Sequence, residues 1–369
     1  MAFVFEEHRL DDVGTDPSLD PESLLRQTAT AAAQVRQART VAAHSGLSLL
    51  ADDGRPRSVA VAGTDVAAFA GAVLETLVGV RSPVPIVTVT GCRLPGWVGV
   101  PDLVIAVSTG SNQEADTTLR LAAEAVRRGS RFVAVGPRSG PLRELAERAR
   151  APFVALPMVG EPRTLLWSLT VPLFAAVEQA GIRAFTDAEL DAAAQRLEEV
   201  AHQCRPTVGI EDNPAKELAL AFADTLPVLW GATPLTALAA RWAAVQFAAN
   251  ARYPVLLPSP PEAAWAQPAV LTGPLQASRG LFDDPADAPG IRMRLLLFRD
   301  DEALPEEAAD LARAEHTAET AEVLVSEVAA QGRSPVERLA GLIALIDYAT
   351  LYLAVAYAVE PLTHTLVVR

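Results

Sequence analysis

Apolar residues along the chain fall into short runs separated by longer stretches in which they recur every three or four positions, the signature of strands alternating with helices. After an acidic, proline-containing lead-in, Ser23–His44 reads as a helix that stops before Gly46. Ser58–Ala62 reads as a strand, followed by Gly63-Thr64 and a helix to about Leu77. Val84–Val89, Leu103–Val107, Arg131–Val135 and Phe153–Leu156 read as further strands. Helices are predicted after the loop Ser108–Glu114 as far as Arg128, and over Leu142–Arg148, Arg163–Gln179 and Asp187–His202. Gln203–Glu211, with a Pro and a Gly between two helical patterns, reads as a linker. The alternation then restarts: a helix over Asn213–Ala223, capped by Asn213 with Pro214 at its first position, precedes strands at Pro227–Trp230, Pro254–Leu257 and Ile291–Phe298. A helix is predicted over Pro234–Ala249, and Pro305–His316, Glu322–Val328 and Glu337–Val359 read as helix, strand and helix. The Pro-rich stretch Leu257–Asp287 reads as irregular. Strands alternating with helices of this length predict an α/β chain of parallel sheets covered by helices, in two domains of residues 20–202 and 212–369 joined by residues 203–211.

Composition narrows the function. Half of the 369 residues are hydrophobic, enough for two cores. The net charge of −14 argues against a nucleic-acid backbone as partner, because that affinity comes from clustered Lys and Arg, yet it leaves room for one small anion in a local pocket. Two distant cysteines, Cys92 and Cys204, predict no disulfide and a reducing compartment. Five scattered histidines give no metal-ligand spacing, and no motif calls for a cofactor. The first dozen residues lack the basic-then-apolar order of a signal peptide, which together with the cysteines predicts a cytoplasmic protein. Gly341–Val359 is apolar apart from Asp347; its mid-segment acid and the two tyrosines of the stretch YATLY predict a core helix and no membrane span.

In a doubly wound sheet, ligands bind at the carboxyl ends of strands, where loops lead into helix N-termini that attract anions. Two loops qualify: Ala62-Gly63-Thr64-Asp65, and Ser108-Thr109-Gly110-Ser111-Asn112. Small residues let the backbone approach a phosphate, and the hydroxyls add donors; the same hydroxyls also serve as ordinary helix caps.

The order Leu94-Pro95-Gly96-Trp97-Val98, then the strand Leu103–Val107, then Ser108–Glu114, resembles the LPxWV, strand and SYSGNTEE order of the bifunctional phosphoglucose/phosphomannose isomerases. Asn213-Pro214-Ala215-Lys216-Glu217-Leu218-Ala219 is similar to that family's NPAKxLA helix, and Leu238–Trp242 to its AxRW helix. Gly332-Arg333-Ser334-Pro335, Leu342–Leu353 and Glu360-Pro361 resemble its closing GxSPxxR, DYxxxYLA and DP segments. The resemblance implies two sugar isomerase (SIS) domains, each a parallel sheet sandwiched by helices. It also implies a homodimer binding a sugar phosphate through Gly63, Thr64, Ser108, Gly110 and Ser111, with Arg163 and Thr350 near the sugar.

The chain departs from an isomerase at the groups that move protons. The family's base, a Glu in an NENAK segment, falls on Ala249, and its ring-opening His falls on Trp265. Alignment register does not rescue either group: no Asp or Glu occurs between Asp224 and Glu262, and no His between His202 and His316. Glu262 is the one replacement base in reach of that region. Three functions follow as expectations. The first is a degenerate isomerase that binds a sugar phosphate with little or no turnover, as a sensor or partner subunit. The second is an active aldose–ketose isomerase on glucose 6-phosphate and mannose 6-phosphate with replacement groups. The third is a structural dimer with a closed pocket.

Overall fold

The computed structural model describes residues 3–20, 22–79, 82–257, 267–273 and 291–362. In chain order its helices are α1 (Arg9–Asp12), α2 (Leu24–Thr28), α3 (Ala31–Ala43), α4 (Leu49–Asp52), α5 (Asp65–Val78), α6 (Asn112–Arg127) and α7 (Pro141–Ala149). They continue as α8 (Leu166–Gln179), α9 (Asp187–Gln203), α10 (Pro214–Phe222), α11 (Pro234–Ala251), α12 (Pro305–Thr320) and α13 (Pro335–Ala356). The strands are β1 (Val59–Ala62), β2 (Ile86–Val89), β3 (Leu103–Val107), β4 (Arg131–Pro137) and β5 (Phe153–Leu156), then β6 (Leu226–Gly231), β7 (Met293–Asp300) and β8 (Leu324–Ala330). The chain divides into two compact units, one Ala29–Glu198 and the other Met1–Thr28 with Glu199–Leu362.

The first unit holds five parallel strands in the order β2-β1-β3-β4-β5. Strands buried on both faces need apolar residues at every position, and β1 and β3 have them: VAVA and LVIAV are wholly buried. Alternate residues divide between the faces. Ala60, Ala62, Val104, Ala106, Phe132 and Ala134 pack with Leu121, Ala122 and Ala125 of α6 and with Leu142 and Ala146 of α7. On the other face Val61 meets α5 at Gly71, where an added Cβ would lie 3.0 Å from the valine methyl. Chain progression runs outward from β1 to β2, then reverses across β1 to β3. The reversal makes the β1/β3 boundary the topological switch point of this sheet.

The second unit has three parallel strands in the order β6-β7-β8. Val228, Trp230, Leu295 and Leu297 pack with Leu311, Ala314 and Ala318 of α12 on one face. α10 and α11 pack against α13, the apolar helix noted above. α13 is long and apolar enough to cross a membrane, but most of it is buried among its neighbours as a core helix.

Several sequence expectations need correction. The helix predicted over Ser23–His44 is two helices, α2 and α3, separated by Ala29-Thr30, and Ser23 itself has φ 52°. Pro254–Leu257 does not form a ladder; Leu256 makes one isolated parallel bridge to Val228, since Pro254 has no N–H to donate. By backbone contacts alone, the two compact units meet within α9, and residues 3–20 group with the unit that holds Glu199–Leu362. There Lys216, the only lysine, is buried and donates to Asp11 Oδ1 (3.2 Å), Pro206 O (2.9 Å) and Val208 O (2.6 Å), tying lead-in and linker to α10. Burial pulls its ammonium below the usual lysine value, against the opposing pull of Asp11.

Candidate functional site

The carboxyl end of the first sheet is built by two short chain reversals on adjacent strands. After β1 the chain passes through Gly63, whose N–H donates to Val89 O (3.2 Å). A Cβ at Gly63 would come within 2.9 Å of Ala67 Cβ and 3.0 Å of Val107 O, so the glycine allows this turn to press against β3. Thr64 is the N-cap of α5, but its hydroxyl makes no side-chain cap hydrogen bond, and Asp65 enters the helix at φ 52°. The cap hydroxyl is therefore not consumed by its own helix.

After β3 the chain continues through Ser108-Thr109-Gly110-Ser111 into α6. Ser108 N–H donates to Val135 O (3.0 Å), and Ser108 Oγ accepts from Gly110 N–H (3.0 Å). Thr109 Oγ1 donates to Ser111 Oγ (3.4 Å). Gly110 has φ 85°, and a Cβ there would meet Pro137 Cγ at 3.0 Å; both facts require glycine. The resulting patch has hydroxyls from Thr64, Ser108, Thr109 and Ser111 on two neighbouring loops, at the switch point and at the N-termini of α5 and α6. Such a patch can hold a small anion.

At its amino end β3 is clamped by Asp102. This fully buried carboxylate accepts from Arg57 Nε (3.0 Å) and Nη2 (2.6 Å), Ser58 Oγ (2.7 Å) and Gly99 N (2.8 Å). Burial pushes its pKa up, but these donors outweigh burial and hold it below the usual carboxylate value.

The other residues expected at the site are held as follows. Arg163 sits in the turn Pro162–Leu165, which packs against α5; it is buried, with Nη1 3.8 Å from Glu161 Oε2. Thr350 belongs to the C-terminal unit, buried within the α11/α13 packing. Its Oγ1 donates toward Ile346 O (2.9 Å) and Asp347 O (3.1 Å) and accepts from Asn250 Nδ2 (2.9 Å). Ala249, at the base position, is in the last turn of α11, and its carbonyl accepts from Leu362 N–H (2.7 Å). Glu262 and Trp265 lie outside the described residues.

The segments that carry the resemblance in the C-terminal half turn out to make structural contacts. Trp242 Nε1 donates to Asp347 Oδ1 (2.6 Å), joining the RW and DY segments. Asn213 Oδ1 caps α10, accepting from Ala215 N and Lys216 N (both 3.1 Å). Burial raises the pKa of Tyr348 and Tyr352 far above neutrality and that of Cys204 to about 12, so none of them is a base at neutral pH. Among the described residues no group of three or more His, Cys, Asp or Glu is placed to hold a metal.

Sequence reading did not single out the carboxyl end of the second sheet. Here Asp300 ends β7, Thr233 caps α11, and Arg338 sits in the first turn of α13. Asp300 Oδ1 lies 3.2 Å from Arg338 Nε and accepts from Glu302 N–H (3.2 Å), while Oδ2 is 3.5 Å from Thr233 Oγ1. Both charged side chains are buried, Arg338 at 10 % exposure and Asp300 at 4 %. An acid at the last position of a strand was the available signal.

Comparisons with known proteins agree with this architecture. Residues 211–369 match the family described as the bacterial phospho-glucose isomerase C-terminal SIS domain. The chain is 25 % identical over 329 residues to a bifunctional phosphoglucose/phosphomannose isomerase of Caldicellulosiruptor bescii, an alignment covering 89 % of this chain and 92 % of that one. Among solved structures, a glucose-6-phosphate isomerase like protein of Thermus thermophilus superposes with a TM-score of 0.54 at 22 % identity, covering 90 % of this chain and 99 % of the other. The tagatose-6-phosphate ketose/aldose isomerase of Escherichia coli superposes with a TM-score of 0.68 at 12 % identity, covering 92 % and 94 %. Residues 211–369 thus resemble the bacterial phospho-glucose isomerase SIS domain, and the chain is a SIS-domain protein related to the bifunctional phosphoglucose/phosphomannose isomerases.

Proposed function

We propose that the chain binds a sugar phosphate or similar small anion at the Gly63-Thr64 and Ser108–Ser111 loops, with little or no aldose–ketose isomerase turnover. The observation that carries this reading is the juxtaposition of those two loops at the β1/β3 switch point, with the Thr64 hydroxyl uncommitted to its helix. In this reading the phosphate sits against the amino ends of α5 and α6, where the helix dipoles and hydroxyl donors replace its water shell.

Isomerisation also needs a base to move a proton between C1 and C2 of the opened sugar. Residues 225–261 contain no carboxylate. The carboxylates of Asp224, Asp300 and Asp347 already accept hydrogen bonds or an ion pair from Tyr357, Arg338 and Trp242. Without a positioned base, the loss is ~10²–10⁴-fold in rate. The role left is that of a sensor or partner subunit, working as a homodimer in the cytoplasm. Calorimetry with fructose 6-phosphate, together with an isomerase assay on glucose 6-phosphate and mannose 6-phosphate, tests the reading. Binding heat without turnover is expected. Turnover abolished by Glu262→Gln overturns the degenerate reading in favour of an active isomerase, and the absence of binding heat or thermal shift favours a structural dimer.

A further inference from the structure

We propose that the C-terminal sheet carries its own anion: the Asp300 carboxylate fills the place at which this sheet end would hold a phosphate. The native sheet end is then closed to external anions, and it becomes an acceptor for inorganic phosphate once Asp300 is replaced by an uncharged residue. The inference does not rest on sugar-phosphate binding by the first unit.

Position is the first argument. β7 runs two residues beyond the one paired with Gly231, so Asp300 projects past the end of β6 to the level of the α11 cap. It stands where ligands of parallel sheets bind, between strand ends and helix N-termini. Two long helices start here, α11 with 18 residues and α13 with 22.

Donor chemistry is the second. Arg338 Nε, Glu302 N–H and Thr233 Oγ1 converge on the two Asp300 oxygens from three separate elements. A guanidinium, a backbone amide and a hydroxyl at a helix N-terminus form the donor set of a phosphate site. Arg338 Nε is buried with no hydrogen bond of acceptable geometry, and among the described residues the carboxylate that pairs with it is Asp300. Removing the carboxylate leaves a buried cation unbalanced, an arrangement that strongly favours anion uptake. The nearest other acid of α13, Glu337, is turned back on its own loop, accepting from Arg333 N–H (2.8 Å). Asp301 and Glu302 are exposed, so the turn that follows Asp300 lies at the surface.

The test compares the full-length native chain with Asp300→Ala, Asp300→Asn and Asp300→Ala/Arg338→Met. Melting temperature is measured in inorganic phosphate and in chloride at equal ionic strength, and bound phosphate per chain is counted by calorimetry. Both single variants are expected to melt lower than the native chain in chloride. Phosphate should restore much of the loss, and Asp300→Ala should bind one phosphate more per chain than the native protein. The double variant should show only the native phosphate response. Equal phosphate responses in all four proteins, or a gained site that survives in the double variant, overturn the proposal. If the single variants are insoluble, refolding yield is read instead: phosphate-dependent recovery supports the proposal, and equal yields in phosphate and chloride overturn it. Phosphate binding by the native chain reports on the first unit and leaves this comparison unaffected.

Discussion

The two sheets end differently. At the carboxyl end of the first, Thr64 caps α5 without using its hydroxyl, and a second hydroxyl-rich loop lies on the neighbouring strand. At the equivalent end of the second, Thr233 completes a capping box with Thr236, and Asp300 supplies a carboxylate to Arg338. At the first end the cap hydroxyl is left unused by its helix; at the second the cap hydroxyl is used and a carboxylate from the neighbouring strand lies beside it. The two ends of the same α/β geometry thus differ by one acid at the end of a strand and one hydroxyl's partner.

The largest effect should come from the tightest contact. At Gly231 an added Cβ would stand 2.3 Å from the Thr236 carbonyl carbon and 2.4 Å from its oxygen, so the backbone of α11 must move. At Gly63 the nearest atoms are the Ala67 methyl at 2.9 Å and Val107 O at 3.0 Å. Gly231→Ala should cost about 3 kcal/mol and Gly63→Ala about 1 kcal/mol in urea unfolding. Gly63→Ala should also weaken sugar-phosphate binding, while Gly231→Ala should leave it unchanged in whatever fraction folds. Equal costs would remove the packing contrast.

The next effect concerns what holds the first end in place. Asp102 fixes the start of β3, and Asp102→Asn should cost about 2 kcal/mol at neutral pH by weakening its charged hydrogen bonds. Its folded pKa lies below its unfolded one, so its contribution is present above the ordinary carboxylate range and disappears as pH falls through the lower folded value. The asparagine variant should therefore show a shallower acid decline in unfolding free energy. An unchanged acid limb would show that this clamp is not what titrates.

Smaller but more diagnostic is the pair of cap threonines. Thr233→Val should cost about 1–2 kcal/mol, as expected for a used cap, and Thr64→Val less than about 0.5 kcal/mol. Binding should move in the opposite sense, with several-fold weaker sugar-phosphate affinity for Thr64→Val and none lost for Thr233→Val.

Much of this frame is legible in the sequence. Leu103–Val107 is five consecutive apolar residues, and the strand has those bounds; Asn213-Pro214 announces a cap, and Asn213 accepts from two amides. Such features are local, set by burial on both faces or by one turn of helix. The break at Ala29-Thr30 is hidden because nothing in an alanine- and threonine-rich run marks a turn without Gly or Pro. Asp300 and Arg338 are 38 positions apart and have no shared period, so only the sheet order and the packing of α13 bring them together. The contacts of the Thr350 hydroxyl, to Asn250 and to backbone carbonyls, likewise come from the packing of α11 on α13 and leave no mark in the sequence.

The most direct test of the contrast is a crystal of the full chain soaked in fructose 6-phosphate and refined with both sheet ends examined. The account expects phosphate density against Thr64 and the Ser108–Ser111 loop, and none at Thr233 and Arg338, where the Asp300 carboxylate stays in place. Phosphate at Arg338 with Asp300 displaced, or an empty Ser108 loop at saturating ligand, would contradict it.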